Sequence, residues 1–126
     1  MTALLRGIQC VAVPVTDQDR TSALFQDLGF TVRFDAEVQP GFRWLELGGD
    51  DGGSLIALIQ TGDELPIGID TGIRLLTHDA AALHAHLSGL GLDTGELLDW
   101  PGVPLMFTFC DFDGNRLYVT EADSPA

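Results

Sequence analysis

Phe107-Thr108-Phe109-Cys110-Asp111-Phe112-Asp113-Gly114-Asn115-Arg116-Leu117-Tyr118-Val119-Thr120-Glu121 reads as two short strands joined by a tight turn. Apolar and polar residues alternate on either side of an Asp-Gly-Asn centre. Asp111 and Asp113 can bond back to nearby backbone amides, and Gly114 tolerates positive φ. A weaker copy of these surroundings lies 62 residues upstream. The hairpin is therefore one end of an internal repeat.

Taken in order, the chain predicts a strand over Gln9 to Val15, with Val11, Val13 and Val15 on one face and Cys10, Ala12 and Pro14 on the other. Asp17 is placed to cap a helix whose apolar stripe is Leu24, Phe25 and Leu28, and Gly29 stops it. Phe30 to Phe34 is a second strand, Asp35 to Gly41 a polar loop, Phe42 to Leu47 a third strand and Ser54 to Gln60 a fourth. The same offset of 62 carries Asp17 to Asp79, Leu28-Gly29-Phe30 to Leu90-Gly91-Leu92, Trp44 to Met106 and Ile56 to Tyr118. It predicts a strand from Gly72 to Thr77, a helix from Asp79 to Leu90 with Leu83, Leu87 and Leu90 on one face, and three further strands. The order is βαβββ twice, an α+β chain of modules 7–60 and 71–122 joined by a linker at 61–70. Each module exposes one apolar sheet face that it cannot bury alone, so the two are expected to pair.

At 126 residues the chain suffices for one domain with a real core. Nineteen acidic against six basic residues give a formal charge of -13, which repels phosphate backbones and anionic lipid. Nucleic acid and membrane are accordingly not expected as partners, and no apolar run is long enough to span a bilayer. Met1-Thr2-Ala3-Leu4-Leu5-Arg6 is broken by Arg6 and lacks a cleavage pattern, so no export signal is expected. Cys10 and Cys110 are then read as free thiols in a reducing cytoplasm.

Val13-Pro14-Val15-Thr16-Asp17-Gln18-Asp19-Arg20, Phe25-Gln26-Asp27-Leu28-Gly29-Phe30, Arg74-Leu75-Leu76-Thr77-His78-Asp79 and the closing Asp111-Phe112-Asp113-Gly114-Asn115 together resemble the vicinal oxygen chelate superfamily. That superfamily includes glyoxalase I, the bleomycin-resistance proteins and the extradiol dioxygenases. The resemblance covers nearly the whole chain. It implies paired βαβββ modules whose sheets curl around a cavity, often completed as a homodimer.

The resemblance also implies where a divalent metal would be held: by His, Gln or Glu on the first and last strand of each module. Those positions fall on Cys10 and Ile56, and on Gly72 (Ile73 if the alignment slips by one) and Tyr118. None is an imidazole or a carboxylate, the donors that such ions need. The expectation is a member lacking the metal ligands, with no metal and no cofactor. His78 falls at a surface corner, and His84 and His86 stand two apart on a helix and diverge, so solvated histidines are expected. Asp111, Asp113 and Asn115 recur as in a calcium loop, but the glycine comes too early and no glutamate closes the loop. No Gly-x-Ser-x-Gly and no Cys-His pair supports nucleophilic catalysis, and no catalytic residue is assigned.

Alternation then gives the expected lining. Leu45, Leu47, Ile73, Leu75 and Thr77 pack outward on the helices. Cys10, Ala12, Pro14, Phe42, Trp44, Glu46, Ile56, Leu58, Gln60, Gly72, Arg74, Leu76, Met106, Thr108, Cys110, Tyr118 and Thr120 face inward. Ligand-binding candidates are Phe42, Trp44, Glu46, Gln60, Arg74, Met106, Thr108 and Tyr118, with Trp100 in a loop able to cover the mouth. Phe42, Trp44 and Met106 either fill the space between sheets or stack on a ligand. Arg74 costs too much to bury unpaired. It pairs with Glu46, binds an anionic part of a ligand, or marks a wet face; the first is preferred.

Two functions follow. One is a metal-independent protein that binds, and so sequesters, a small organic molecule such as a drug or metabolite. Its acidic balance favours cationic drugs, although solubility alone is the preferred reason for that charge. The alternative is an enzyme of the same superfamily, a metal-dependent lyase, isomerase or dioxygenase, or an acid–base catalyst built on Glu46 or Tyr118. A cavity filled only for dimer packing is the third reading. Binding is preferred over catalysis.

Overall fold

The computed structural model describes residues 3–50, 52–61 and 65–122. The chain divides into two units, Met1–Pro66 and Ile67–Ala126. The first holds β1 (Cys10–Val15), α1 (Gln18–Asp27), β2 (Thr31–Gln39), β3 (Phe42–Gly48) and β4 (Leu55–Gln60). The second holds β5 (Asp70–Thr77), α2 (Ala80–Gly89), β6 (Met106–Cys110) and β7 (Arg116–Glu121). Unit one is a four-stranded sheet in the order β1-β4-β3-β2, and unit two a three-stranded sheet in the order β5-β7-β6. Neither sheet closes. In both, the first strand runs parallel to the last, with the helix as crossover.

The repeat is visible atom by atom at the helix ends. Asp17 Oδ1 accepts from Arg20 N at 3.1 Å, and Asp79 Oδ1 from Ala82 N at 3.0 Å. Each helix ends on a leucine, Leu28 or Leu90, followed by a left-handed glycine, Gly29 (φ 111°) or Gly91 (φ 80°). The chain then turns back, with Phe30 N bonded to Phe25 O and Leu92 N to Leu87 O. α1 packs on β2, β3 and β4, and α2 on β6 and β7. The cores beneath them are Val13, Val15, Phe25, Leu45, Leu47 and Leu58 in unit one, and Leu87, Phe107, Phe109, Leu117 and Val119 in unit two. Each such side chain contributes about 1.5–3 kcal/mol by leaving water.

Three expectations need correction. Asp35 to Gly41 is not a loop: β2 continues to Gln39, and the chain turns only at Pro40-Gly41. The charges that mark this stretch as a loop sit on an exposed edge strand, where Asp35 pairs with Arg43 of β3. The second unit has two strands after its helix rather than three. Its missing strand is reduced to bridges, Thr94 to Phe109 and Leu98 to Met106. Gly95 lies so close to β6 that a Cβ there would stand 2.7 Å from Thr108 Oγ1. At the end of the predicted linker Asn115 Oδ1 accepts from Gly68 N (2.9 Å) and Ile69 N (3.1 Å), and Asp70 opens β5. Linker residues 62–64 lie outside the described residues. Finally, Leu90 is 46% exposed, so the face of α2 is anchored by Ala80 and Leu87.

The Asp111–Asn115 turn is a buried clip rather than an ion loop. Asp111 Oδ1 accepts from Asp113 N and Asn115 N, both at 2.9 Å, and its Oδ2 from Asn115 Nδ2 at 3.0 Å. Burial pushes the Asp111 carboxyl up from its ordinary pKa, and the Asn115 and Asp113 donors pull it part of the way back.

Candidate functional site

Strand register decides which residues leave the helices. In unit one Leu45 stands opposite Leu58, Glu46 opposite Ala57 and Leu47 opposite Ile56. Cross-strand partners share a face, so Ile56 and Leu58 join Leu45 and Leu47 under α1. In β1, Val11, Val13 and Val15 are registered with Ile56, Leu58 and Gln60, on the same side. Ile56, Leu58 and Gln60 therefore do not face inward as expected. The physical reason is one residue of length. The offset between modules is 62 from Leu45 to Phe107, but the partners Leu58 and Val119 are only 61 apart. The turn between the last two strands is shorter by one residue in unit two, and a one-residue shift exchanges the faces of a strand. Tyr118 corresponds to Ala57, and Ile56 to Leu117.

The helix-free face of unit one carries Cys10, Phe42, Trp44, Glu46 and Ala57. Phe42 and Trp44 stack with centroids 6.2 Å apart at 15°. Glu46 is 8% exposed and accepts a short hydrogen bond from Gln9 Nε2. Burial, then the Glu46 carboxylate beside it, pushes the Cys10 thiol pKa up, which weakens it as a nucleophile. In unit two the helix-free face carries Arg74, Leu76, Met106, Thr108, Tyr118 and Thr120. Arg74 Cζ stands 3.9 Å above the Tyr118 ring centroid, and its Nη1 donates to Gly72 O at 2.8 Å. The Tyr118 hydroxyl donates to Asp70 Oδ2 at 2.6 Å. This hydrogen bond raises the phenol's pKa and lowers that of Asp70. Glu46 and Arg74, paired with each other in the sequence reading, each find these partners within their own unit. Sequence reasoning finds neither Gln9 nor Asp70: Gln9 opens its predicted strand and is given no role, and Asp70 precedes the strand predicted from Gly72.

Gln60 lines a different feature, an open groove of about 530 Å³ on the helix side of unit one with Gln18, Asp35, Glu37 and Arg43. Its polar groups are largely engaged with one another. Gln18 Nε2 donates to Arg43 O (3.0 Å) and Leu58 O (2.8 Å), and Arg43 grips Asp35 through two 2.8 Å bonds and Asp19 through a third. Trp100 is 56% exposed in a turn closed by Val103 N on Trp100 O. His84 is half-buried rather than freely solvated: its ring meets Phe107 edge-on at 5.0 Å, and Nε2 bonds Gly95 O at 2.8 Å.

No family model matches the sequence, and no curated protein matches it. Solved structures do. The chain matches a member of the glyoxalase/bleomycin resistance protein/dioxygenase superfamily from Sphaerobacter thermophilus DSM 20745 with a TM-score of 0.84 at 23% identity, over 95% of this chain and 100% of that one. The fold is that of the glyoxalase/bleomycin-resistance/dioxygenase superfamily. TnmS3, an antibiotic binding protein from Streptomyces sp. CB03234, shares this glyoxalase-type fold at a TM-score of 0.81 and 23% identity, over 97% and 100% of the two chains. FosX, a fosfomycin resistance protein from Listeria monocytogenes, matches at 0.73 and 15%, over 94% and 95%.

The superfamily's metal can be tested against the residues present. By register its positions carry Cys10 and Ala57 in unit one and Asp70 and Tyr118 in unit two, since the irregularity around Gly72 sets Asp70 opposite Arg116 as Cys10 stands opposite Leu55. A lone thiol, a methyl, and a carboxylate and phenol bonded to each other, with no imidazole among them, do not fit a divalent ion. Among the described residues, no group of three or more His, Cys, Asp or Glu is arranged to hold a metal. Among them, too, no helix is long and apolar enough to cross a membrane.

Proposed function

We propose that this chain is a small-molecule-binding protein of the glyoxalase/bleomycin-resistance type that takes up its ligand without a metal. The observation that supports this reading is the donor set just described, which has no imidazole and whose one carboxylate, Asp70, is bonded to the Tyr118 hydroxyl. The ligand contacts proposed are Phe42, Trp44 and Glu46 of unit one, and Arg74, Met106, Thr108 and Tyr118 of unit two. Each set combines aromatic surface with polar groups, the usual make-up of a surface that binds an organic molecule. TnmS3 is an antibiotic binding protein and FosX a fosfomycin resistance protein. An organic molecule of antibiotic or metabolite type is accordingly the ligand class favoured, bound by a homodimer in the cytoplasm.

The test begins with metal. Protein purified without a metal-affinity tag is assayed for Zn, Ni, Fe and Mn, and its melting temperature is followed as each ion is added. Absence of stoichiometric metal and of any ion-specific stabilisation is expected. Stoichiometric metal would overturn metal independence and make a lyase or dioxygenase the leading reading. Light scattering in solution tests the dimer, which a monomeric mass would eliminate.

A further inference from the structure

The helix-free face of unit two holds a cationic island in a strongly acidic protein. All six basic residues of the chain are arginines, set against 19 acids. Two of the six, Arg74 and Arg116, share this face with Tyr118, Arg74 by its register with Tyr118 and Arg116 by its register with Cys110. Among the described residues, neither has a carboxylate within ion-pair distance, whereas Arg43 is held by both Asp19 and Asp35.

Arg74 is also prepared in shape. One face of its guanidinium lies on the Tyr118 ring, and Nη1 is spent on Gly72 O. Nη2 and Nε remain, and the side chain is exposed. A guanidinium fixed in this way offers a fork of donors to a planar anion and a second flat face to an aromatic ring. The local backbone makes the arrangement. Gly72, at φ 69°, interrupts the register of β5, turns its carbonyl to Arg74 Nη1 and sends its N–H to Asp70 Oδ1 at 3.1 Å. Asp70 is bonded to the Tyr118 hydroxyl and the Gly72 amide; it keeps its charge and feels Arg116 and Arg74, but it forms an ion pair with neither. Leu76, 67% exposed, and the half-buried Met106 continue the same face as apolar surface.

We infer that Arg74 on Tyr118 is a recognition site for the carboxylate or ionised phenol of a planar aromatic ligand, an inference that rests on the small-molecule reading above. It assigns this face to an anionic ligand, where net charge alone favours cationic ones. Titration calorimetry on the full chain tests it with three naphthalenes of one shape: 2-naphthoate, 2-naphthamide and 2-naphthylmethylammonium. Naphthoate is expected to bind tightest. Arg74→Gln should weaken it about five- to tenfold and leave naphthamide within about twofold, with Arg74→Lys recovering part of the loss. Equal or tighter binding of the amide or the ammonium, or naphthoate binding unchanged in Arg74→Gln, overturns the inference and leaves small-molecule binding standing. Failure of all three to bind at about 1 mM overturns both.

Discussion

Replacing Asn115 by alanine should be the most damaging single change at the turn of the closing hairpin. Asn115 is fully buried and acts in two directions. Its Oδ1 accepts from Gly68 N and Ile69 N, and its Nδ2 donates to the buried Asp111 carboxyl. Two part-buried backbone amides each lose a hydrogen bond of about 0.5–1.5 kcal/mol, and the carboxyl group loses a stronger one of about 1.5–3 kcal/mol. The expected loss is about 3–5 kcal/mol, a large share of the roughly 5–15 kcal/mol that holds a domain of this kind folded. Urea denaturation followed by tryptophan fluorescence and circular dichroism gives the value, provided the m-value is unchanged. Asn115→Asp is the companion variant. It keeps the acceptor for Gly68 and Ile69 but sets a second carboxyl against Asp111, so its stability should recover as pH falls and one proton enters the pair. A loss below about 1 kcal/mol in Asn115→Ala would refute the reasoning, because the amides and Asp111 would then be satisfied without the side chain.

Tyr118 is the only tyrosine, so absorbance titration near the phenolate band reads it alone. Its pKa should lie above the ordinary value of about 10 and return toward it in Asp70→Asn. Because the folded value is the higher one, this contact stabilises fully below the ordinary tyrosine pKa and ceases to do so as pH rises through the folded value. Arg43→Met should cost about 1 kcal/mol at low salt and less in about 0.5 M NaCl, since Asp19 and Asp35 hold an arginine that is one-third exposed. A loss that salt does not reduce would assign the effect to packing. Asp17→Ala and Asp79→Ala should each cost about 1 kcal/mol, with Asp17→Asn and Asp79→Asn close to wild type in thermal melts. Equal losses in the Asn variants would show that charge, not capping, is what those positions supply.

The amino-acid sequence by itself determined the elements whose causes are local. Asp17 and Asp79 cap because a short acceptor precedes each helix, and Leu28-Gly29 and Leu90-Gly91 stop because glycine enters the left-handed region. The Asp111–Asn115 turn and the arrangement of Phe107 and Phe109 opposite Leu117 and Val119 were legible for the same reason. β2 was cut short because charges on an edge strand look like a loop.

Only the tertiary structure decided what faces where in β4. Leu55-Ile56-Ala57-Leu58-Ile59 is apolar at every position, so alternation has no phase to read. Its phase is set by pairing with β3 across a turn one residue longer than its counterpart in unit two. The same holds for the site. Arg74 reaches Tyr118 through strand register, Tyr118 reaches Asp70 across 48 residues of sequence, and Gln9 reaches Glu46 across 37. Local propensity carries no information about such pairs. They exist because parallel strands, joined through a helix and a hairpin, bring distant positions side by side.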